Sequence, residues 1–270
     1  MNATIPHTCN VTIATEVDVH HRTALITGGS RGIGAAVAVA LAQGGATLVG
    51  IHYARDSTAA EAVVERVNEA GASGVLIRAD LAEGAAGAAH LATRWRDEVR
   101  RHDARGTDVL VSNAGINGAQ SLSELDEGTV ARVVNVNLVA PLMLVHHLSD
   151  HINDHGRVIG ISSGFARIAA PTHVAYTASK AGLEAAFRAI AAELAERDIT
   201  VNTVRPGVID TDINADWINE PGARDAVAAA AALRRVGQPD DVADIVAFLA
   251  SHSSRWMTGQ SLDATGGTQL

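Results

Sequence analysis

The chain has little of several features that would point to particular classes of protein. Its 270 residues include one cysteine, Cys9, so no disulfide can form within the chain, and this fits a reducing compartment such as the cytoplasm. Acidic residues outnumber basic ones, and the net charge of −9 argues against nucleic-acid binding, which favours a basic surface. Aromatic residues are scarce, at 3%, whereas alanine is abundant, as in helices packed closely on a sheet.

Long apolar runs and targeting signals are also missing. No run of about 18 apolar residues exists, so we expect no membrane span. Residues 1–21 lack the basic-then-apolar order of a secretory signal, and we expect them to be a disordered extension. Without internal repeats or a Pro/Ser-rich linker, residues 22–270 are expected to form one domain.

Apolar strand-like runs alternate with helix-like segments along most of the chain. Strands are predicted at 23–27, 47–53, 74–79, 108–112, 157–162, 200–204 and 261–263, and helices at 32–43, 57–70, 84–102, 126–151, 175–197 and 239–251. This alternation predicts a Rossmann-like, doubly wound α/β fold, with about seven parallel strands and helices on both faces. Because parallel sheets bind ligands beyond the carboxyl ends of their strands, the irregular stretch 208–236 is expected to be a substrate lid.

A glycine-rich segment, Thr27 to Gly34, lies between the first predicted strand and the first predicted helix. Its glycines at 28, 32 and 34 let the backbone turn tightly and let phosphates approach without a Cβ in the way. The N-terminus of the following helix presents free N–H groups and a partial positive charge to an anion. The segment therefore predicts a site for a dinucleotide pyrophosphate, although a plain glycine turn is the alternative.

Tyr176 and Lys180 are four residues apart on a predicted helix, so their side chains share one face. A free tyrosine has a pKa near ~10, and a nearby ammonium, together with an oxidised nicotinamide, favours the phenolate and lowers that pKa. Tyr176 could then give a proton to a forming alkoxide or take one from an alcohol. The alternative is a core tyrosine and a solvated lysine, but Ser163, thirteen residues upstream, and the glycine turn favour catalysis.

Taken in chain order, these motifs resemble those of the classical short-chain dehydrogenase/reductase family, over Arg22 to Thr268. The glycines follow that family's T-G-x-x-x-G-x-G pattern rather than G-x-G-x-x-G. The resemblance implies that Tyr176 and Lys180 are catalytic, that Ser163 hydrogen-bonds the substrate oxygen, and that Asn137 supports a water linked to the lysine. It also implies a set of cofactor-binding residues, which are Gly28, Ser30, Arg31, Gly32, Ile33, Gly34, Asp80, Leu81, Asn113, Ala114, Gly115, Tyr176, Lys180, Pro206, Gly207, Ile209 and Thr211.

Some of these residues have structural alternatives. By the resemblance, Asp80 contacts the adenine amino group, but it could equally cap the helix that follows, and both roles could hold. Asn113 is expected to bond backbone groups across the sheet rather than to act in catalysis. Thr211 and the Ile209 backbone match the positions that hold the nicotinamide carboxamide.

The end of the second predicted strand bears on cofactor choice. NAD enzymes usually place an acid about 20 residues past the glycines to hold the ribose 2′-hydroxyl. Here that position holds Tyr53, and Asp56 comes later. Arg31 resembles the basic residue of NADP-preferring relatives, and Arg55 could add a second contact to the 2′-phosphate. We therefore expect NADP(H) to be preferred, with NAD(H) as the alternative.

The predicted function is a ketone–alcohol oxidoreductase acting on a small molecule, similar to ketoacyl-carrier reductases and sugar or polyol dehydrogenases. A 3-oxoacyl-carrier-protein reductase and a non-catalytic nicotinamide sensor remain alternatives. The family and two broadly apolar helices suggest a homotetramer. His147, His151 and His155 recur every four residues, a spacing that can place two metal ligands on one helical turn. No suitable third group is evident, so we expect a solvated histidine face and no metal site.

Overall fold

The computed structural model describes Val19 and residues 22–269. Apart from Val19, the extension expected over residues 1–21 lies outside the described residues. The strands are β1 (Thr23–Ile26), β2 (Leu48–Tyr53), β3 (Ser73–Arg78), β4 (Thr107–Ser112), β5 (Ile152–Ile161), β6 (Thr200–Pro206) and β7 (Ser261–Ala264). The α-helices are α1 (Gly32–Gln43), α2 (Ser57–Glu69), α3 (Ala85–Arg101), α4 (Glu127–Val134), α5 (Ala140–Leu148), α6 (Val174–Leu194), α7 (Ala215–Ile218), α8 (Ala223–Ala230) and α9 (Pro239–Ala250).

The strands form one parallel sheet in the order β3-β2-β1-β4-β5-β6-β7, which confirms the predicted seven-stranded fold. The chain runs outward from β1 to β3 and then crosses back to place β4 on the other side of β1. In open parallel sheets, ligands bind at the carboxyl edge where the strand order reverses. The crevice between β1 and β4 is therefore the expected cofactor site.

Helices cover both faces of the sheet because successive strand residues point to opposite faces and are apolar on each. Ala24 and Ile26 of β1 pack in a core with α1, α2 and α9, whereas Leu25 packs in a second core with α3, α5 and α6. Trp95 lies at the centre of the second core and is fully buried, and its indole N–H donates to the Thr107 hydroxyl at 2.8 Å. Small residues such as alanine permit this close packing, as the abundance of alanine in the sequence predicts.

The helix predicted at 126–151 is divided into α4, a π-helical segment at Asn135–Val139, and α5. Such a segment inserts an extra residue into the helical turn and shifts the faces that follow. The Asn135 amide donates to the Ala82 carbonyl, and the Asn137 amide to the Ile116 carbonyl. The segment therefore turns two asparagines toward the protein interior, one of them Asn137 of the predicted site.

The continuous helical stretch Glu127–Leu148 is long and apolar enough to cross a membrane, judged only by length and a mean hydropathy of 1.6. The polar residues Arg132, Asn135 and Asn137 interrupt this stretch, so the sequence contains no unbroken apolar run here. In the folded chain, α5 packs on α3, and α4 packs on α6. Other helices thus cover part of this stretch, and 39% of its apolar window is buried in one chain.

Two other boundaries differ from expectation. β5 begins at Ile152, before the predicted start at 157, because the polar residues Asn153 to His155 hid the first half of the strand. The stretch 208–236 is less irregular than expected, since it contains the short helices α7 and α8.

Candidate active site

The glycine turn between β1 and α1 lies at the carboxyl edge of the sheet, beside β2 and β4. Gly28 and Gly32 adopt φ values of +62° and +53°, which a side chain would disfavour. A Cβ at Gly34 would lie 2.2 Å from the Gly28 carbonyl oxygen, so this position has no room for any other residue. The turn therefore requires its glycines for backbone geometry as well as for ligand approach.

Thr27 and Asn113 hold the turn against the end of β4. The Thr27 hydroxyl accepts the N–H groups of Asn113 and Ala114, both at 2.9 Å. The Asn113 amide donates to the carbonyls of Thr27 at 2.9 Å and Gly28 at 3.0 Å. These bonds confirm that Asn113 links backbone groups across the sheet.

The residues present fit the pyrophosphate of a nicotinamide dinucleotide. α1 begins at Gly32, and the preceding residue, Arg31, makes no side-chain cap. Ser30 and Arg31 complete the turn, and Gly32, Ile33 and Gly34 form the first helical turn, whose N–H groups are free of intrahelical partners. With no acid in this turn to compete, the helix N-terminus favours an anion.

The region expected to recognise the ribose is built by the end of β2. Tyr53 is the last residue of that strand and is half-buried, whereas Arg55 is exposed. Arg31 lies in ion pairs with Asp56, at 2.7 Å, and with Asp212, at 3.1 Å. Asp56 also caps α2 by accepting the Ala59 N–H at 3.0 Å. The guanidinium of Arg31 is thus held by carboxylates from two separate segments.

Asp80 follows β3 and lies on the same edge. Its carboxylate accepts the Ala82 N–H at 2.9 Å, so the structural role considered from sequence is present. Leu81 is buried in the core against α3. Contact of Asp80 with an adenine stays a prediction.

Ser163, Tyr176 and Lys180 meet beyond the carboxyl end of β5. Tyr176 and Lys180 lie in the first two turns of α6, and the Lys180 ammonium is 5.8 Å from the centre of the Tyr176 ring. Lys180 is 3% exposed, and its Nζ donates to the Ile161 carbonyl at 2.7 Å. The structure therefore brings together the three residues that the sequence singles out.

Burial sets the protonation behaviour of this group. It lowers the pKa of Lys180 to about 8, since a low-dielectric site disfavours the ammonium. Burial also raises the pKa of Tyr176, and the opposing hydrogen bond with Ser163 is the smaller effect. In the protein without cofactor, desolvation therefore outweighs the effect of the neighbouring groups. The lowered phenol pKa expected with an oxidised nicotinamide bound stays a prediction. A protonated phenol at neutral pH is the form that can donate a proton.

Asn137 and Gly115 close the inner side of this group. The Asn137 amide oxygen accepts the Ile116 N–H at 2.9 Å, and its nitrogen donates to the Ser179 hydroxyl at 3.1 Å. A Cβ at Gly115 would lie 3.3 Å from the Lys180 Nζ and 3.4 Å from the Asn137 Oδ1. The two polar side chains therefore border the same small space, without a direct bond between them.

The segment after β6 forms the other wall of the cleft. Gly207 packs against the backbone of Thr265, and a Cβ there would lie 2.8 Å from the Thr265 carbonyl oxygen. Thr211 lies beside the glycine turn, 3.1 Å from where a Cβ of Gly32 would lie. Thr211 thus lies beside the glycine turn, whereas contact of Pro206, Gly207 and Ile209 with the cofactor stays a prediction. Below the predicted lid, a cavity of about 460 Å³ lies between the segment after β6, α8 and the end of β7.

Sequence reasoning missed several polar residues that support this site. His52 is buried under the glycine turn, and Ser162 and Arg205 both bond the buried carboxylate of Glu184 on α6. His173 forms a cluster of rings with Phe165 and Tyr176, with centroids 5.0 to 6.3 Å apart. None of these residues belongs to a short sequence motif. Their roles become visible only when the fold brings them to partners that are distant in the sequence.

The histidines considered as a metal face are engaged in other contacts. His151 bonds the Thr107 hydroxyl at 3.1 Å, and His155 lies 3.5 Å from the carboxylate of Asp198. Within residues 22–269 and Val19, no group of three or more potential ligands is placed to hold a metal ion.

A glycine turn at the switch point of a parallel sheet, with a tyrosine and a buried lysine across the same crevice, defines a dinucleotide-dependent oxidoreductase of the Rossmann type. Comparisons with known proteins agree with this class. The family model described as enoyl-(acyl carrier protein) reductase matches residues 28–269.

Three proteins illustrate the similarity. An uncharacterized oxidoreductase of Methylorubrum extorquens is 36% identical over 249 residues, which cover 92% of this chain and 98% of that protein. A versicolorin reductase of Emericella nidulans is 34% identical over 257 residues, with 91% and 95% covered. A crystal structure of an angucycline C-6 ketoreductase with bound NADP is 36% identical, with a TM-score of 0.87 and 93% and 96% covered. The chain belongs to the short-chain dehydrogenase/reductase family.

Proposed function

We propose that this protein is an NADPH-dependent ketoreductase that converts a ring ketone into a secondary alcohol. The observation that carries the proposal is the meeting of Ser163, Tyr176 and Lys180 beside the glycine turn. Similarity to a versicolorin reductase and to an NADP-bound ketoreductase supports ketone reduction.

Each residue of the chain has a defined part in this chemistry. NADPH supplies the reducing equivalent when bound. The Ser163 hydroxyl donates a hydrogen bond to the ketone oxygen, and Tyr176 donates its phenolic proton to that oxygen as negative charge develops. Lys180 stabilises the resulting phenolate from the neighbouring turn of α6. Asn137 holds the Ile116 backbone and the Ser179 hydroxyl, which fixes the floor of the site.

Two arginines would select NADP(H) over NAD(H). Arg31 rises from the glycine turn and Arg55 from the loop after β2, so both can approach a ribose 2′-phosphate. Tyr53 provides no carboxylate to hold a 2′-hydroxyl or repel the phosphate. Asp56 does lie at Arg31, but it is already committed to the α2 cap and to that guanidinium. NAD(H) is the poorer cofactor on this account.

The substrate class follows from the walls around Tyr176. Phe165 and His173 place two rings beside the phenol, which suits stacking with a planar, aromatic ketone. The two reductases with named chemistry, for versicolorin and for an angucycline, support a fused-ring ketone. The lid offers further apolar surface, since Ile213 and Trp217 are partly exposed.

A carrier-protein substrate is the weaker alternative. Docking an acidic carrier needs basic side chains that are available near the cleft. Arg167 instead lies 3.5 Å from Asp263, and Arg197 lies 2.8 Å from Asp154 at the amino end of β5, on the opposite edge of the sheet from the cleft. Both cations are therefore partly neutralised by neighbouring carboxylates.

We also propose that the protein is a homotetramer and is located in the cytoplasm. Only 39% of the apolar window within Glu127–Leu148 is buried in one chain, which leaves a surface that a second subunit could cover. β7 is an edge strand, and near it Trp256 is 98% exposed. Light scattering at micromolar concentration should give a tetramer mass, whereas a monomer mass would contradict this part.

The experiment that tests the function is NADPH oxidation at 340 nm with two matched sets of ketones. One set holds fused-ring aromatic ketones, and the other holds 3-oxoacyl thioesters. We expect turnover with the first set and faster reaction with NADPH than with NADH. Turnover only with thioesters would favour the carrier alternative, and NADPH binding without turnover on either set would favour the sensor.

A further inference from the structure

His52 is a buried polar residue at the carboxyl end of β2, directly below the cofactor crevice. It is 2% exposed and lies among the core strands rather than on the surface. Its Nδ1 accepts the Gly28 N–H at 3.0 Å, and its Nε2 lies 3.2 Å from the Ala79 carbonyl oxygen. One imidazole therefore joins the glycine turn to the residue that precedes Asp80.

These two partners fix the tautomer of the ring. The Gly28 N–H can only donate, so Nδ1 must be an unprotonated acceptor, and the Ala79 carbonyl can only accept, so Nε2 must carry the proton. Burial lowers the pKa of His52 to about 4, with the Ala79 bond and the Asp80 charge opposing. The ring is thus neutral at physiological pH and can hold both bonds at once.

Residue 52 also holds the turn through its backbone. The Gly29 N–H donates to the His52 carbonyl at 2.9 Å. From the opposite side, the Asn113 amide holds the Gly28 carbonyl. The Gly28 and Gly29 N–H groups are therefore both occupied by His52. The turn is organised before any cofactor binds.

We propose that His52 is a positioning residue for cofactor binding. Its bond with Gly28 sets the conformation of the glycine turn, and its bond with Ala79 sets the distance between that turn and the end of β3, where the adenine is expected. This inference rests on the proposed use of NADP(H). The two bonds have different roles. The Gly28 bond orients the glycine turn that binds the pyrophosphate, and the Ala79 bond joins the ends of the neighbouring strands β2 and β3. Loss of the first should weaken binding more than loss of the second.

Two substitutions separate the bonds because each amide reproduces one ring nitrogen. His52→Asn places an oxygen near the position of Nδ1 and keeps the acceptor for Gly28. His52→Gln places its nitrogen near Nε2, keeps the donor to Ala79, and leaves the Gly28 N–H unsatisfied in a buried site. His90→Gln, at an exposed position on α3, is the matched control.

The dissociation constant for NADPH is measured by cofactor fluorescence for all four proteins, together with kcat and the melting temperature. We expect His52→Gln to weaken NADPH binding at least ~10-fold, His52→Asn to stay within ~3-fold of wild type, and kcat at saturating NADPH to change little in both. Equal dissociation constants for the two variants, whether both normal or both raised, would overturn the inference. If the wild-type protein does not bind NADPH, the proposed function fails and the inference fails with it.

A measurement on the wild-type protein covers the case in which His52→Gln does not fold. Without cofactor, the Gly28 amide should exchange its proton as slowly as core amides of β1, and ¹⁵N spectra should show His52 protonated at Nε2. Fast exchange at Gly28 or an Nδ1-protonated ring would overturn the inference.

Discussion

Glu184→Gln should destabilise the protein severely, although Glu184 lies in no recognised motif. Its carboxylate is 6% exposed and accepts three bonds, from Arg205 Nε at 2.7 Å, Arg205 Nη2 at 2.6 Å and the Ser162 hydroxyl at 2.7 Å. The bonds to Glu184 raise the pKa of Arg205, so the guanidinium stays charged. The substitution therefore leaves a largely buried cation facing a neutral amide.

The magnitude follows from this burial. Removing one partner of a buried pair costs about 3–5 kcal/mol, and Arg205 keeps some solvent contact, so we expect about 3 kcal/mol. For a domain of this size, that loss lowers the melting temperature by roughly 6–12 °C. Differential scanning calorimetry at pH 7 measures it directly.

Asp210→Asn provides the matched control. Asp210 also receives a bidentate Arg pair, from Arg224 at 2.8 and 3.0 Å, but at an exposed position in the predicted lid. Because solvent screens such a pair, its loss should change the melting temperature only slightly. Replacing both members of the buried pair, with Glu184→Met and Arg205→Met, should recover most of the lost stability. A Glu184→Gln protein as stable as wild type, or a double variant worse than either single one, would refute the reasoning.

Three further predictions test the cofactor site and the catalytic lysine. Gly34→Ala should weaken NADPH binding by ~10²-fold, because its Cβ would meet a backbone oxygen at 2.2 Å, whereas Gly128→Ala on exposed helix α4 should leave binding unchanged, as titration will show. Removing the guanidinium groups of Arg31 and Arg55 together should raise KM for NADPH at least ~10-fold and leave KM for NADH nearly unchanged in steady-state assays. Lys180→Met should abolish turnover, and removal of the buried ammonium should contribute a gain of about 3 kcal/mol in the free energy of unfolding at pH 7, against the loss of the bond to the Ile161 carbonyl, since the folded pKa of about 8 lies below the unfolded 10.5. The ammonium costs stability in full below about pH 8, so this gain should shrink as pH rises toward 10.5, and a constant gain would contradict the assignment.

The fold was predictable because its signals are local. Most strands are short apolar runs, the long helices repeat apolar residues with helical spacing, and the turn at Gly28 to Gly34 needs glycine for its backbone conformation. The catalytic spacing of Tyr176 and Lys180 on one helix face is equally local. These features follow from periodicity and from steric limits on the backbone.

Features that depend on distant partners could not be predicted in this way. His52 becomes meaningful only when folding brings Gly28 and Ala79 to its two nitrogens, and Glu184 only when β6 supplies Arg205. The π segment at Asn137 arises from inward asparagine bonds rather than from apolar spacing. The raised pKa of the Tyr176 phenol in the protein without cofactor also depends on burial, which is a tertiary property.

We propose that Tyr176 donates the proton during reduction of a ketone by NADPH, and the substitution Tyr176→Phe tests this role. The variant keeps the ring and its contacts with Phe165 and His173, and loses only the hydroxyl. We predict a fall in kcat of at least ~10²-fold on the best fused-ring ketone, with the dissociation constant for NADPH unchanged. Near-normal turnover by a variant that still binds NADPH would contradict the account.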